Sequence, residues 1–228
     1  MDAHKKIIAL NFKTYAQSAG AAGLRLLQAC DSVAKSNPAT SIIACPQQQD
    51  LSLAASTLKS AKVFAQHSDA ARQGAFTGWV SPASLKASGV EGTLLNHSER
   101  RVGEAKVAEA LEACRQARIS AIVCAEDVEE SLKFAKLSPW AVAYEPPELI
   151  GSGISVSSAK PEIVRQFISR MCKEAPSVIP IIGAGVSTEG DVAKSVELGA
   201  SGVLLASAFV KSSDPKGLLE KMVASIEG

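Results

Sequence analysis

Short apolar, often β-branched segments recur along the whole chain: Ile7-Ile8-Ala9-Leu10, Ser41-Ile42-Ile43-Ala44, Val63-Phe64-Ala65, Thr93-Leu94-Leu95, Ala121-Ile122-Val123, Ala141-Val142-Ala143, Ile179-Pro180-Ile181-Ile182 and Val203-Leu204-Leu205. Nearly continuous apolarity over so short a run is the pattern of a parallel strand buried on both faces. Stretches of helical period lie between them. Leu24, Leu27 and Cys30 share one face before Asn37-Pro38 ends the helix. Val102, Ala105, Val107, Ala108 and Leu111 repeat at helical spacing among Glu and Lys, and Lys160-Pro161-Glu162 opens a helix with proline in its first turn. Ile163, Val164, Phe167 and Ile168 form that helix's apolar stripe. Thr188 to Leu198 and Asp214 to Ile226 complete the series, each starting at a capping-type residue.

Strict strand–helix alternation demands parallel strands joined by right-handed crossovers. Eight such units in 228 residues, with no Ser/Gly/Pro-rich linker, predict one domain over residues 1–228: a closed (β/α)₈ barrel near the short end of its size range. A doubly wound open sheet is the competing arrangement. It calls for G-x-G-x-x-G after the first strand, where this chain has Asn11-Phe12-Lys13-Thr14.

Composition narrows the function classes. With 24 Lys+Arg, 23 Asp+Glu and 46% hydrophobic residues, the chain is globular rather than disordered. A net charge of +1 and the absence of any basic run give no electrostatic case for nucleic acid. No apolar stretch approaches the roughly 20 residues that span a bilayer, and the start lacks a signal-type apolar region, so the expected location is the cytoplasm. The five cysteines, Cys30, Cys45, Cys114, Cys124 and Cys172, form no C-x-x-C pair. They are expected to be reduced, buried apolar groups rather than disulfides or metal ligands.

In a barrel of this kind the chemistry lies where strands end. Asn11 and Lys13 follow the first strand on the same side of an extended backbone, and a lysine in the mouth is costly unless it meets an anion. Asn96-His97-Ser98-Glu99-Arg100-Arg101 follows the fourth, where backbone amides of a starting helical turn can keep the His97 ring neutral. Glu99, Arg100 and Arg101 are expected to fix that loop through ion pairs. Glu145 ends the sixth strand, and burial there would set its proton affinity. Pro146-Pro147-Glu148-Leu149-Ile150-Gly151-Ser152-Gly153 then forms a stiff segment hinged at both ends, the makings of a lid. Gly183-Ala184-Gly185 and Ala206-Ser207-Ala208 follow strands seven and eight, where main-chain amides of such barrels hold phosphate. His67 is expected to be a satisfied polar group near the mouth, His4 a solvated tail residue and Cys124 a packed thiol.

Asn11-Phe12-Lys13, Gly74-Ala75-Phe76-Thr77-Gly78, Asn96 through Arg101, Glu145-Pro146 through Gly153, and Gly202-Val203-Leu204-Leu205-Ala206-Ser207 together resemble the triosephosphate isomerase family, in the family's order and over essentially the whole chain. The short helical region between Arg101 and Glu126, Asn96, and Pro147-Glu148-Leu149 resemble its compact archaeal branch. The resemblance implies a single-domain (β/α)₈ TIM barrel that interconverts dihydroxyacetone phosphate and D-glyceraldehyde 3-phosphate in glycolysis and gluconeogenesis. It also implies the roles. Glu145 is the base, neutral His97 donates to the enediolate oxygens, Lys13 offsets negative charge, and Asn11 orients substrate and histidine. Phe12 belongs to the same substrate-binding strand end. Backbone amides at Ile150, Gly151, Gly185, Ala206 and Ser207 hold the phosphate, and Pro146 to Gly151 is the lid. No metal or organic cofactor is implied. The family's Thr77 loop enters a neighbouring subunit beside Asn11 and Lys13, which implies a homodimer or homotetramer.

Three positions depart from the wider family: Ile182 stands where tyrosine is usual, Ala206-Ser207 where Gly-Gly is usual, and Trp79 where an acidic residue is usual. Trp79 is either a packing residue or an intersubunit anchor, since aromatics favour interface cores. Two other functions compete with the isomerase. A phosphate-binding barrel of different chemistry, or a non-catalytic one, would share the glycine loops but would not call for Lys13, His97 and Glu145 together.

Overall fold

The eight apolar segments become eight parallel strands: β1 (Lys6–Asn11), β2 (Thr40–Cys45), β3 (Lys62–Ala65), β4 (Gly92–Leu95), β5 (Ser120–Ala125), β6 (Ala141–Tyr144), β7 (Ile179–Ile182) and β8 (Gly202–Leu205). They close in sequence order into a barrel, with β8 returning to pair with β1. The structure is a computed structural model and describes residues 5–149 and 156–227. His4 of the tail, and Ile150, Gly151, Ser152 and Gly153 of the expected lid, lie outside the described residues.

Helices cover the outside of the barrel: α1 (Gly20–Ser36), α2 (Leu51–Thr57), α3 (Pro82–Ala87), α4 (Glu104–Ala117), α5 (Val128–Lys136), α6 (Val156–Ala159), α7 (Pro161–Glu174), α8 (Glu189–Glu197), α9 (Ser207–Val210) and α10 (Pro215–Glu227). Both expected caps are present. Thr188 and Asp191 form a reciprocal capping box on α8, and the Asp214 carboxylate accepts the Gly217 amide at 2.9 Å ahead of α10. The buried stripes are rotated from the ones the sequence pattern picks out. On α1 the core face is Leu26, Leu27, Cys30, Val33 and Ala34, with Leu24 only half-buried. On α4, Val107, Ala110, Leu111 and Cys114 are buried while Ala105 is exposed.

Period-two alternation sends one set of strand side chains outward and the other inward. Ile8, Leu10, Ile42, Ala44 and Val63 belong to the layer between sheet and helices. Ile7, Ala9, Ile43, Phe64, Leu94, Ile122, Ala143, Ile181 and Leu204 fill the barrel itself. Phe64 is the bulkiest of these inward groups, and it sets the identity of a neighbour. A Cβ on Gly92, one strand over, would lie 2.4 Å from the Phe64 ring, so only glycine fits.

Four of the five cysteines are buried as free thiols, whereas Cys172 on α7 is exposed, against the expectation for that residue. No helix among the described residues is long and apolar enough to cross a membrane.

Candidate active site

The inward alternation continues one step past the strand ends, and that step delivers the polar groups. Following Ala141 and Ala143, residue 145 points inward; following Ile181, residue 183 does; following Ile7 and Ala9, residue 11 does. The C-terminal mouth thereby gathers Asn11, Lys13, His97, Glu99, Glu145, Gly183, Gly185, Ala206 and Ser207 around one cleft of about 310 Å³. Five strand ends contribute: β1, β4, β6, β7 and β8.

Glu145 is 3% exposed, and its Oε1 lies 3.7 Å from His97 Nε2. Its Oε2 is buried and, among the described residues, has no hydrogen-bond partner. Burial pushes the carboxyl above its ordinary range, while His97, the Cys124 thiol, the Ser98 amide and Lys13 pull the other way. A carboxyl raised by burial inside a polar cleft is the environment of a general base. His97 Nδ1 accepts the Glu99 amide at 3.2 Å, so in the neutral ring the proton sits on Nε2, facing Glu145 and the cleft. A second amide-mediated tie, Arg100 N–H to the His97 carbonyl at 2.7 Å, closes the turn.

Asn96 shapes this loop from beneath. It is buried with φ +58°, a left-handed conformation that asparagine tolerates better than most residues. Its Nδ2 donates to the Cys124 carbonyl at 3.1 Å and its Oδ1 accepts the Val102 and Gly103 amides. The ion pairs expected of this segment are present: Lys13–Glu99 at 2.9 Å, Arg100–Asp69 at 4.0 Å, and Arg101 with both Glu126 and Glu130.

Lys13 also has a left-handed backbone, φ +46°, which costs a side-chain-bearing residue about 1–2 kcal/mol. Side chains on both sides hold it there. Asn11 Oδ1 accepts the Lys13 amide at 3.0 Å, and Gln66 Nε2 donates to the Lys13 carbonyl at 3.0 Å and to the Cys45 carbonyl at 3.1 Å. The Lys13 ammonium consequently enters the cleft instead of swinging to solvent.

Phe12 does not join the cleft. Its side chain is fully buried in the layer beneath the helices, 6.0 Å from Phe209, and it bears on the site only by fixing the residues on either side. Thr77 lies in the long β3–α3 connection, away from the cleft, beside exposed Phe76 and Trp79. Of the expected lid, Pro146 is buried, Pro147 is exposed, and a short turn spans Pro147–Leu149. His67 is buried and satisfied by Asp69 at 3.0 Å, and Cys124 sits in the barrel interior with its thiol pushed up by burial and by Glu145.

Three contributors escape a residue-by-residue reading of strand ends: Gln66, Cys124 as a neighbour of Glu145, and the particular need for Gly183. A Cβ on Gly183 would lie 2.6 Å from Glu145 Cγ, so this glycine makes room for a side chain rather than for a ligand. The signal was available in principle. The β6–β7 register pairs Ala143 with Ile181, and two residues further on it sets Glu145 against Gly183. Gly185, with φ +70°, keeps the conformational role expected of a glycine beside the cleft.

The profile of the triosephosphate isomerase family matches residues 6–225. A triosephosphate isomerase of Methanosarcina mazei is 42% identical over 216 residues, covering 95% of this chain and 96% of that protein. Those of Methanothermus fervidus (41% over 222 residues; 97% and 99%) and Sulfurisphaera tokodaii (39% over 217 residues; 95% and 93%) are similar over comparable lengths. Likeness of this extent runs through every strand that feeds the cleft, and the chain belongs to the triosephosphate isomerase family.

Proposed function

We propose that the chain interconverts dihydroxyacetone phosphate and D-glyceraldehyde 3-phosphate, as a step of glycolysis and gluconeogenesis, and that Glu145, His97, Lys13 and Asn11 carry the reaction. The observation that carries this reading is the approach of Glu145 Oε1 to His97 Nε2 at 3.7 Å, with the Lys13 ammonium lining the same cleft. The Glu145 carboxylate takes a proton from the carbon beside the carbonyl and returns it to the neighbouring carbon. Between those events the substrate is an enediolate, with charge on two adjacent oxygens. The Nε2–H of His97 donates to those oxygens, and the Lys13 ammonium offsets their charge. Asn11 is 4% exposed and, through its hold on the Lys13 amide, keeps the first strand's contribution in place. Gly185, Ala206 and Ser207 line the cleft, and their backbone amides are assigned the phosphate, together with Ile150 and Gly151, which lie outside the described residues. The segment Pro146–Gly151 is assigned the lid: closure would keep water from an enediolate prone to lose phosphate.

The chain is further assigned to a homodimer or a homotetramer in which the Thr77 loop enters the neighbouring subunit. Exposed Phe76 and Trp79 on that loop support the assignment, their rings 5.5 Å apart edge to face. A cytoplasmic location agrees with free, mostly buried thiols, since oxidising compartments favour disulfides.

A coupled assay of purified protein with D-glyceraldehyde 3-phosphate tests the reading. Rapid conversion, with solvent deuterium appearing on the carbon that receives the proton, is expected. Binding of the triose phosphate without turnover would refute it.

A further inference from the structure

The opposite, N-terminal mouth of the barrel opens into a second cavity, about 500 Å³ against about 310 Å³ for the cleft. Its floor is apolar: Ile7 and Ile179, and Trp140, whose ring lies 5.7 Å from Phe64. Its rim is cationic, with Lys5, Lys35 and Lys62 among the lining residues and, among the described residues, no Asp or Glu. Lys62 sits at an inward position of β3, two residues before Phe64. Among the described residues neither Lys35 nor Lys62 has an ion-pair partner. Two carboxylates reach lining residues of this cavity from outside it. Glu227 accepts the Thr40 hydroxyl at 2.5 Å, and Asp31 accepts the amides of Lys59, Ser60 and Ala61. The Ser41 hydroxyl in the same wall is buried and, among the described residues, has no partner.

Ammonium groups set around one concavity with low-dielectric walls repel one another and concentrate counter-ions there. The N-terminal face of such a barrel has no part in its chemistry, so catalysis does not account for this arrangement. The volume lies within the roughly 300–1,000 Å³ of small-molecule sites, and an apolar floor beneath a few charged groups is their usual make-up. We propose that this cavity binds a phosphorylated organic anion of mononucleotide size, its phosphate held by Lys35 and Lys62 and its flat body laid on Trp140, Ile7 and Ile179. Such a ligand binds only the folded chain, so it raises the melting temperature without entering the isomerase cleft.

Trp79 and Trp140 are the chain's two tryptophans, so a Trp79→Phe background leaves Trp140 as the sole reporter. Titration of that protein with adenosine monophosphate is expected to give a saturable fluorescence change and a rising melting temperature. Adding Lys35→Gln and Lys62→Gln should weaken the response at least tenfold while leaving the isomerase KM unchanged. Inorganic phosphate should bind more weakly than the nucleotide. The proposal is overturned by any of three results: no saturable response at millimolar nucleotide, an undiminished response in the double lysine variant, or displacement of the nucleotide by triose phosphate. Inorganic phosphate matching the nucleotide in affinity would overturn the assignment of an organic body to the apolar floor.

Discussion

Glu145 occupies the space that a side chain at residue 183 would need: a Cβ on Gly183 would lie 2.6 Å from Glu145 Cγ and 3.0 Å from its Oε1. The two residues are opposed across the β6–β7 register, and the Gly183 amide donates to the Tyr144 carbonyl at 2.9 Å, so neither backbone is free to yield. The base and this glycine therefore form one unit.

Gly183→Ala should displace the Glu145 carboxylate by a fraction of an ångström to about 1 Å. Misplacement of that size costs on the order of 10²-fold in rate. Steady-state kinetics should show the loss in kcat, with KM changed much less. An alanine variant with wild-type kcat would show that Glu145 does not depend on this space.

The raised Glu145 carboxyl links stability to pH. In the unfolded chain the group titrates at its ordinary value, so between that value and the higher folded one the native state binds more proton. Stability then falls as pH rises through that window. Glu145→Gln should melt higher than wild type near neutral pH, by roughly 2–4 °C for each kcal/mol recovered. The gap should close as pH is lowered below the ordinary carboxyl range. Melting curves across this range are the check, and an offset constant with pH would count against the burial argument.

Gln66 holds the strained turn at Lys13. Gln66→Leu removes the donor to the Lys13 carbonyl, a part-buried hydrogen bond, and should destabilise the fold by about 0.5–1.5 kcal/mol, the usual net contribution of such a bond. The freed Lys13 ammonium should also lower kcat. Chemical denaturation and steady-state rates on one preparation report both effects; full stability with full activity would dismiss Gln66 as a support.

Trp79 is 56% exposed and Phe76 40%, an unusual outlay of aromatic surface on one loop. Trp79→Ser should shift the protein toward monomer in sedimentation velocity and reduce activity with it. An unchanged sedimentation coefficient would remove Trp79 from the subunit interface.

The barrel was legible because each strand is short, apolar and followed by a helical period, a pattern that survives without knowledge of contacts. The site was legible where a polar residue directly ends such a run, as Glu145 and Asn11 do. Helical faces were less so. Leu24 sits at the edge of the α1 stripe, and period alone does not fix the rotation of a helix by the few tens of degrees that separate core from margin. Phe12 sits between two cleft residues, yet alternation turns its ring into the core. The parts of Gln66 and Gly183 depend on pairing between strands distant in sequence, and a single-residue inspection of loops has no access to that register.

The most direct test of the account is the kcat of Glu145→Ala in the coupled isomerase assay, measured beside the variant's affinity for a non-reacting triose phosphate analogue. A fall in kcat of more than about 10²-fold with analogue binding largely retained is expected, since positioned proton transfer contributes about 10²–10⁴-fold. A variant that keeps most of its kcat would contradict the assignment of Glu145 as the group that moves the proton.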